Sequence, residues 1–122
     1  MRAGIDCEHL ERYVLGDDAL RAEVLTIFEG QIRALREGLN PVADDEEWHD
    51  RMHAMKGAAR GVGAWQVGRL CERAEALVGD KPDKAELRKA TILALTRALD
   101  DAADHAARLK DGADIEAEPV SA

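Results

Sequence analysis

Apolar residues return every three or four positions along four separate stretches of this chain, and no stretch alternates with a period of two. A helix with one buried face produces the first rhythm and a half-buried strand the second, because a helical turn takes 3.6 residues and a strand repeats every two. One series is Leu20, Val24, Ile27, Phe28, Ile32, Leu35 and Leu39, with Arg21, Glu29, Arg33 and Arg36 falling elsewhere. The next is Trp48, Met52, Met55, Ala59 and Val62, and a third holds Val67, Leu70, Cys71, Ala74 and Leu77 or Val78. The last is Ile92, Leu95, Leu99, Ala102, Ala106 and Leu109. Four amphipathic helices with short connections predict an all-α fold, an antiparallel four-helix bundle running up-down-up-down. A short N-terminal helix from Asp6 to Leu15 precedes it, with Leu10, Tyr13 and Val14 on one side.

Local signals set the boundaries. Asp6 caps the short helix and Gly16 ends it; Asp17 or Asp18 caps the next, and Asn40-Pro41 stops it, since the residue before a proline is pushed out of the α region. Asp44/Glu47 and Asp83/Glu86 have capping-box spacing, with Asp in place of Ser or Thr. Gly61 and Gly63 sit where a terminator belongs, Ala64 begins the fourth helix, and the turn from Gly79 to Pro82 closes it. From Gly112 the chain is poor in apolar residues, so the domain is expected over 1–111, with a flexible tail over 112–122.

A length of 122 residues suits one domain. The net charge is −8, from 25 acidic against 17 basic residues, and no Lys/Arg run tracks a phosphate backbone, which argues against nucleic acid as a partner. The opening residues lack a signal-like apolar stretch, and no run approaches the roughly 20 apolar residues of a membrane span. A soluble, cytoplasmic monomer without a membrane partner is expected. Cys7 and Cys71 lack CxxC spacing and are read as reduced thiols, Cys71 as buried packing.

Chemistry concentrates in the segment HAMKGAARGVGA, His53 to Ala64. His49, His53, Lys56 and Arg60 repeat the spacing of the Trp48 stripe one residue later, which turns them about 100° away from the core toward solvent. Gly57, one turn beyond His53, leaves a gap above the imidazole. The arrangement suits phosphoryl chemistry. An imidazole ordinarily titrating near about 6.5 offers a lone pair at cellular pH, Lys56 balances the charge of an incoming phosphoryl group, and Gly57 lets a partner come close. Such transfer is mainly positioning plus electrostatics.

The run His53, Met55, Lys56, Gly57, Gly63, Ala64, Val67, Leu70, Cys71, Ala74 and Glu75 resembles the signature HxLKGxxxxxGAxxLxxLCxxLE of histidine phosphotransfer (Hpt) domains. The departures, Met55, Val67 and Ala74 at positions that are usually Leu or another larger apolar residue, are conservative. The resemblance implies that His53 is phosphorylated on a ring nitrogen and relays the group to or from receiver-domain aspartates in a multistep two-component phosphorelay. It implies that Lys56 aids the phosphoryl group and that Gly57 leaves room for the receiver. Partners would be response-regulator receiver domains or a hybrid histidine kinase. The receiver would supply the acidic pocket and Mg²⁺, and this chain would need no cofactor of its own. The glycines here match neither GxGxxG nor a Walker loop, so the chain reads as a carrier that does not phosphorylate itself from ATP.

Other readings compete. His49 and His53 stand four apart, and with Glu46 or Asp50 they form the start of a helical metal site, although a closed site needs four ligands and no HExxH occurs. A sensor-kinase dimerisation helix pair also presents a histidine, but an acidic residue and then a proline usually follow it; here Ala54 follows, and no proline lies between Pro41 and Pro82. A bundle that kept the fold and lost phosphotransfer is the blandest reading. His9, His49 and His105 are expected at the surface or its boundary. Gly57 inside a helix costs roughly 0.8–1.0 kcal/mol against alanine, which close helix packing would explain as well as partner access. Arg60 and Trp65 stay open between function and structure.

Overall fold

The computed structural model describes residues 4–111, so the expected tail from Gly112 lies outside the described residues. These form α1 (Cys7–Val14), α2 (Asp18–Glu37), α3 (Asp45–Val62), α4 (Trp65–Glu75) and α5 (Lys84–Lys110), with no strand among them. The fold class is all-α, as the three-four rhythm predicts.

Carboxylate caps start the first three helices. Asp6 accepts the His9 N–H, Asp17 that of Leu20, and Asp44 that of Glu47 at 2.8 Å, each satisfying a backbone donor that has no partner within its helix. The expected box at Asp83/Glu86 does not form. Asp83 has φ −107° and ψ 24°, away from the extended backbone of a capping residue, and its side chain makes no cap bond; Glu86 instead faces Lys89. The α3 stop is also narrower than expected. Gly63 alone turns left-handed, at φ 84°, with its N–H on the carbonyls of Ala59 and Arg60, while Gly61 continues the helix. α4 ends at Glu75, so Leu77 and Val78 pack on the core from a connecting segment beyond the helix.

α2 packs against α3 and α5, α4 packs against the same two, and α1 lies on α2 and α3. Trp48, Met52, Met55, Leu95, Leu99 and Leu109 are among the largest side chains fully enclosed, each worth about 1.5–3 kcal/mol of burial where an aliphatic chain is removed from water. The buried row of α2 is Arg21, Leu25, Phe28 and Ile32, rotated from the expected series. Leu20 and Ile27 therefore face outward, as does Tyr13 of α1, because the apolar arc of these helices is wider than the face that neighbouring helices cover. Arg21 is accommodated inside by charge: its guanidinium donates to both oxygens of Glu11, at 2.6 and 2.9 Å, and to Asp18 at 2.8 Å.

Two polar groups hold the ends. Arg88, 1% exposed, donates to the carbonyls of Leu77, Pro41 and Ala43 and to Asp45, with its guanidinium 4.5 Å over the Trp48 ring, so one side chain ties both connections that meet at that end. His105, expected near the surface, is buried. Its Nδ1 accepts the Ile5 N–H at 3.1 Å, which joins the residues before α1 to α5.

Candidate functional site

α3 turns His53 outward, with 67% of its side chain exposed, while Met52 and Met55 on either side of it are enclosed. The Gly63 turn folds α4 back along α3 and brings its last residue, Glu75, to the imidazole. Glu75 Oε2 lies 3.1 Å from His53 Nδ1, and Lys56 Nζ lies 3.0 Å from Oε1 and 2.9 Å from Oε2. One carboxylate thus holds both residues. Lys56 and Glu75 are largely covered, at 15% and 16% side-chain exposure, so solvent screens the pair less than it would on an open surface. Burial pushes the Glu75 carboxyl up, but the bonds from Lys56 and His53 outweigh it and hold it below the usual carboxylate range.

A carboxylate can only accept at this site. An Nδ1–H that donates to it leaves the lone pair on Nε2, at the open end of the ring. The site therefore offers a nitrogen nucleophile with a fixed ring, an ammonium one turn along the helix, and a carboxylate to balance positive charge on the ring. Glu75 was legible only as the last residue of the signature and carried no role there; what reveals its part is a contact between residues 22 positions apart.

A methyl group built on Gly57 would meet nothing within 4 Å, so close helix packing does not account for this glycine. Gly57 and Gly61 instead form part of the wall of a groove of about 340 Å³ between α2 and α3, with Tyr13, Ile27, Phe28 and Val62 among its other walls. Tyr13 and Ile27 are 62% and 55% exposed, which makes this an apolar surface open to water beside the histidine.

The remaining residues divide clearly. His49 is half exposed and stacks parallel to His53, 6.0 Å between ring centroids. Among the described residues no three His, Cys, Asp or Glu side chains are grouped to hold a metal ion. Arg60 reaches Glu72 at 2.9 Å, its stem lying over Gly68, where a Cβ would come within 3.2 Å of it. Trp65 donates its indole N–H to Asp6 at 2.9 Å and meets His9 edge-on, and His9 Nε2 lies 3.2 Å from the Gly61 carbonyl; these contacts seat α1 on the α3–α4 corner. The bond from Trp65 is also the chief reason that the Asp6 carboxyl sits below its ordinary value. Cys71 is enclosed beneath the site, and burial, reinforced by Glu75, pushes its thiol up to about 12. It is a packing residue.

No helix of the described residues is long and apolar enough to cross a membrane. No curated protein and no solved structure matches the chain significantly. A protein-family model, that of the Hpt domain, matches residues 19–108, a span that begins after α1 and contains His53, Lys56, Gly57 and Glu75. An all-helical fold, an outward histidine on its third helix and a family match over most of the length agree: the chain belongs to the Hpt domain family, the phosphocarrier modules of phosphorelays.

Proposed function

We propose that this Hpt domain carries a phosphoryl group on Nε2 of His53, taken from or given to the aspartate of a receiver domain in a multistep two-component phosphorelay. The observation that carries the reading is the shared carboxylate of Glu75, which holds the exposed His53 ring through Nδ1 and Lys56 beside it. In the forward step the Nε2 lone pair forms the N–P bond while the acyl phosphate's O–P bond breaks, its electron pair staying on the aspartate. The neutral ring becomes a cation bearing the phosphoryl group and keeps its Nδ1 proton. Glu75 faces that charge, and Lys56 faces the phosphoryl oxygens. The reverse step returns the group to an aspartate.

The receiver covers the groove beside Gly57, where Tyr13 and Ile27 supply apolar contact and the glycine gives the partner backbone room. The receiver, free or attached to a hybrid histidine kinase, brings the acidic pocket and Mg²⁺; this chain adds neither a cofactor nor an ATP-dependent step. The packing of α2 and α4 each against α3 and α5 supports an up-down-up-down antiparallel four-helix bundle, with α1 as a short leading helix over a domain ending near residue 111. The module works as a cytoplasmic monomer.

Incubation with a phosphorylated receiver tests the assignment. His53→Gln abolishes labelling and leaves far-UV helicity unchanged, since the side chain is mostly in solvent; a variant that still takes the label overturns it.

A further inference from the structure

The reaction proposed above leaves one imidazole of the site unused. His49 stands one turn before His53 on α3, half exposed, with the two rings 6.0 Å apart between centroids and within 9° of parallel. Residues four apart on a helix are neighbours, so the pairing follows from the sequence spacing. Asp50 Oδ1 lies 3.5 Å from His49 Nδ1. By helical spacing Asp45 and Glu46 stand one turn before His49 on α3 and Lys56 two turns after it, while Glu75 at the end of α4 reaches His53 and Lys56, and Lys84 of α5 bonds Asp45. Two of the acids are already engaged: Glu75 holds Lys56 and His53, and Asp45 holds Lys84, Arg88 and the Gly79 N–H.

Resting on the carrier reading, we infer that His49 is the electrostatic partner of phosphorylated His53: its imidazolium form stabilises the phosphoryl group, which couples proton uptake at His49 to phosphoryl uptake at His53. The charge balance requires such an effect. A neutral ring that gains a dianionic phosphoryl group and becomes a cation adds about one net negative charge to the site. That charge arises roughly one ring spacing from His49, and after screening by water and salt it tightens proton binding there about threefold. By linkage, a protonated His49 favours the phosphorylated state by the same factor. The preference is full at pH values where His49 is protonated in both states, and it is lost as pH rises through the midpoint of the phosphorylated form. His49's own contribution to retaining the phosphoryl group is therefore largest in acid and fades as pH rises.

Phosphoramidate gives a partner-free test, because its P–N bond breaks as the His53 Nε2–P bond forms and ammonia leaves. Imidazole resonances of the whole chain are followed by NMR through a pH series before and after labelling. The His49 midpoint is expected to rise by about half a pH unit, while that of His9, on α1, stays in place. With His53 labelled, a His49 movement below about 0.1 unit, or an equal movement of His9, overturns the coupling and leaves the carrier reading standing. Absence of label on His53 overturns both.

Discussion

The carboxylate of Glu75 lies 3.1 Å from Nδ1 of His53 across the α3–α4 turn, with Lys56 on the same two oxygens. An acceptor there fixes the ring and the position of its proton, and it gains strength as the ring becomes cationic. Lys56 in turn depends on it, since its ammonium is mostly covered and donates to this carboxylate.

Replacing that carboxylate should slow the transfer. A hydrogen bond to a charged group is worth about 1.5–3 kcal/mol, so Glu75→Ala is expected to lower the rate from a phosphorylated receiver by roughly tenfold or more. Glu75→Gln, which keeps an acceptor and loses the charge, falls between it and the native rate. The folded carboxyl is held below its ordinary value, so the pairing is complete above the usual carboxylate range and is lost as pH falls through the depressed value. Stopped-time labelling of the three proteins near neutral pH checks the rates, and urea unfolding of the native chain and Glu75→Gln at falling pH checks the loss of the pairing.

Gly57→Gln separates folding from docking. Nothing lies within 4 Å of an added Cβ, and a better helix former at an exposed interior position adds about 0.5 kcal/mol of stability, raising the melting temperature by about 2 °C. Transfer from the receiver nevertheless slows, because the new side chain stands where the partner approaches. Thermal unfolding paired with transfer kinetics measures both; an undiminished rate would remove the access role.

Ile27→Glu addresses the groove. The side chain is more than half exposed, so stability should change by no more than about 0.5 kcal/mol. A charge placed in an apolar contact weakens receiver docking by roughly tenfold. The loss should be larger with a receiver donor than with phosphoramidate, which needs no docking surface, and equal losses with both donors would remove the groove from the interface.

Asp45→Asn tests the start of α3, where that helix meets the α4–α5 connection. The hydrogen bond from Lys84, then that from the Gly79 N–H, with burial opposing, holds the Asp45 carboxyl down to about 2. Its pairing therefore contributes stability above the ordinary carboxylate value, and this is lost as pH falls through about 2. Urea unfolding should show the variant less stable than the native chain at neutral pH and the difference closing between about pH 4 and about pH 2. A constant difference would assign the effect to shape and not to charge.

Much of this architecture is readable from spacing. Trp48, Met52, Met55, Ala59 and Val62 are all buried as their rhythm predicts, and Asp6, Asp17 and Asp44 cap as their positions before apolar runs suggest. These depend on neighbours within one turn, where sequence distance and spatial distance agree. The candidate set His53, Lys56 and Gly57 is legible for the same reason, since all three share one helix. Asp83 fails because its local spacing is correct while its backbone, held between the α4–α5 connection and α5, is not extended.

Periodicity alone establishes the helices, their order and the histidine-bearing face. It does not tell how wide an arc the neighbours cover, which is why Ile27 and Tyr13 emerge as exposed groove walls and Arg21, paired with Glu11, goes inside. Nor does it reveal that His105 is enclosed to receive the Ile5 N–H, or that Trp65 secures Asp6. The juncture of Glu75 with His53 and Lys56 belongs to the same class. A contact across helices depends on where the Gly63 turn aims α4, and only the packed tertiary structure decides that.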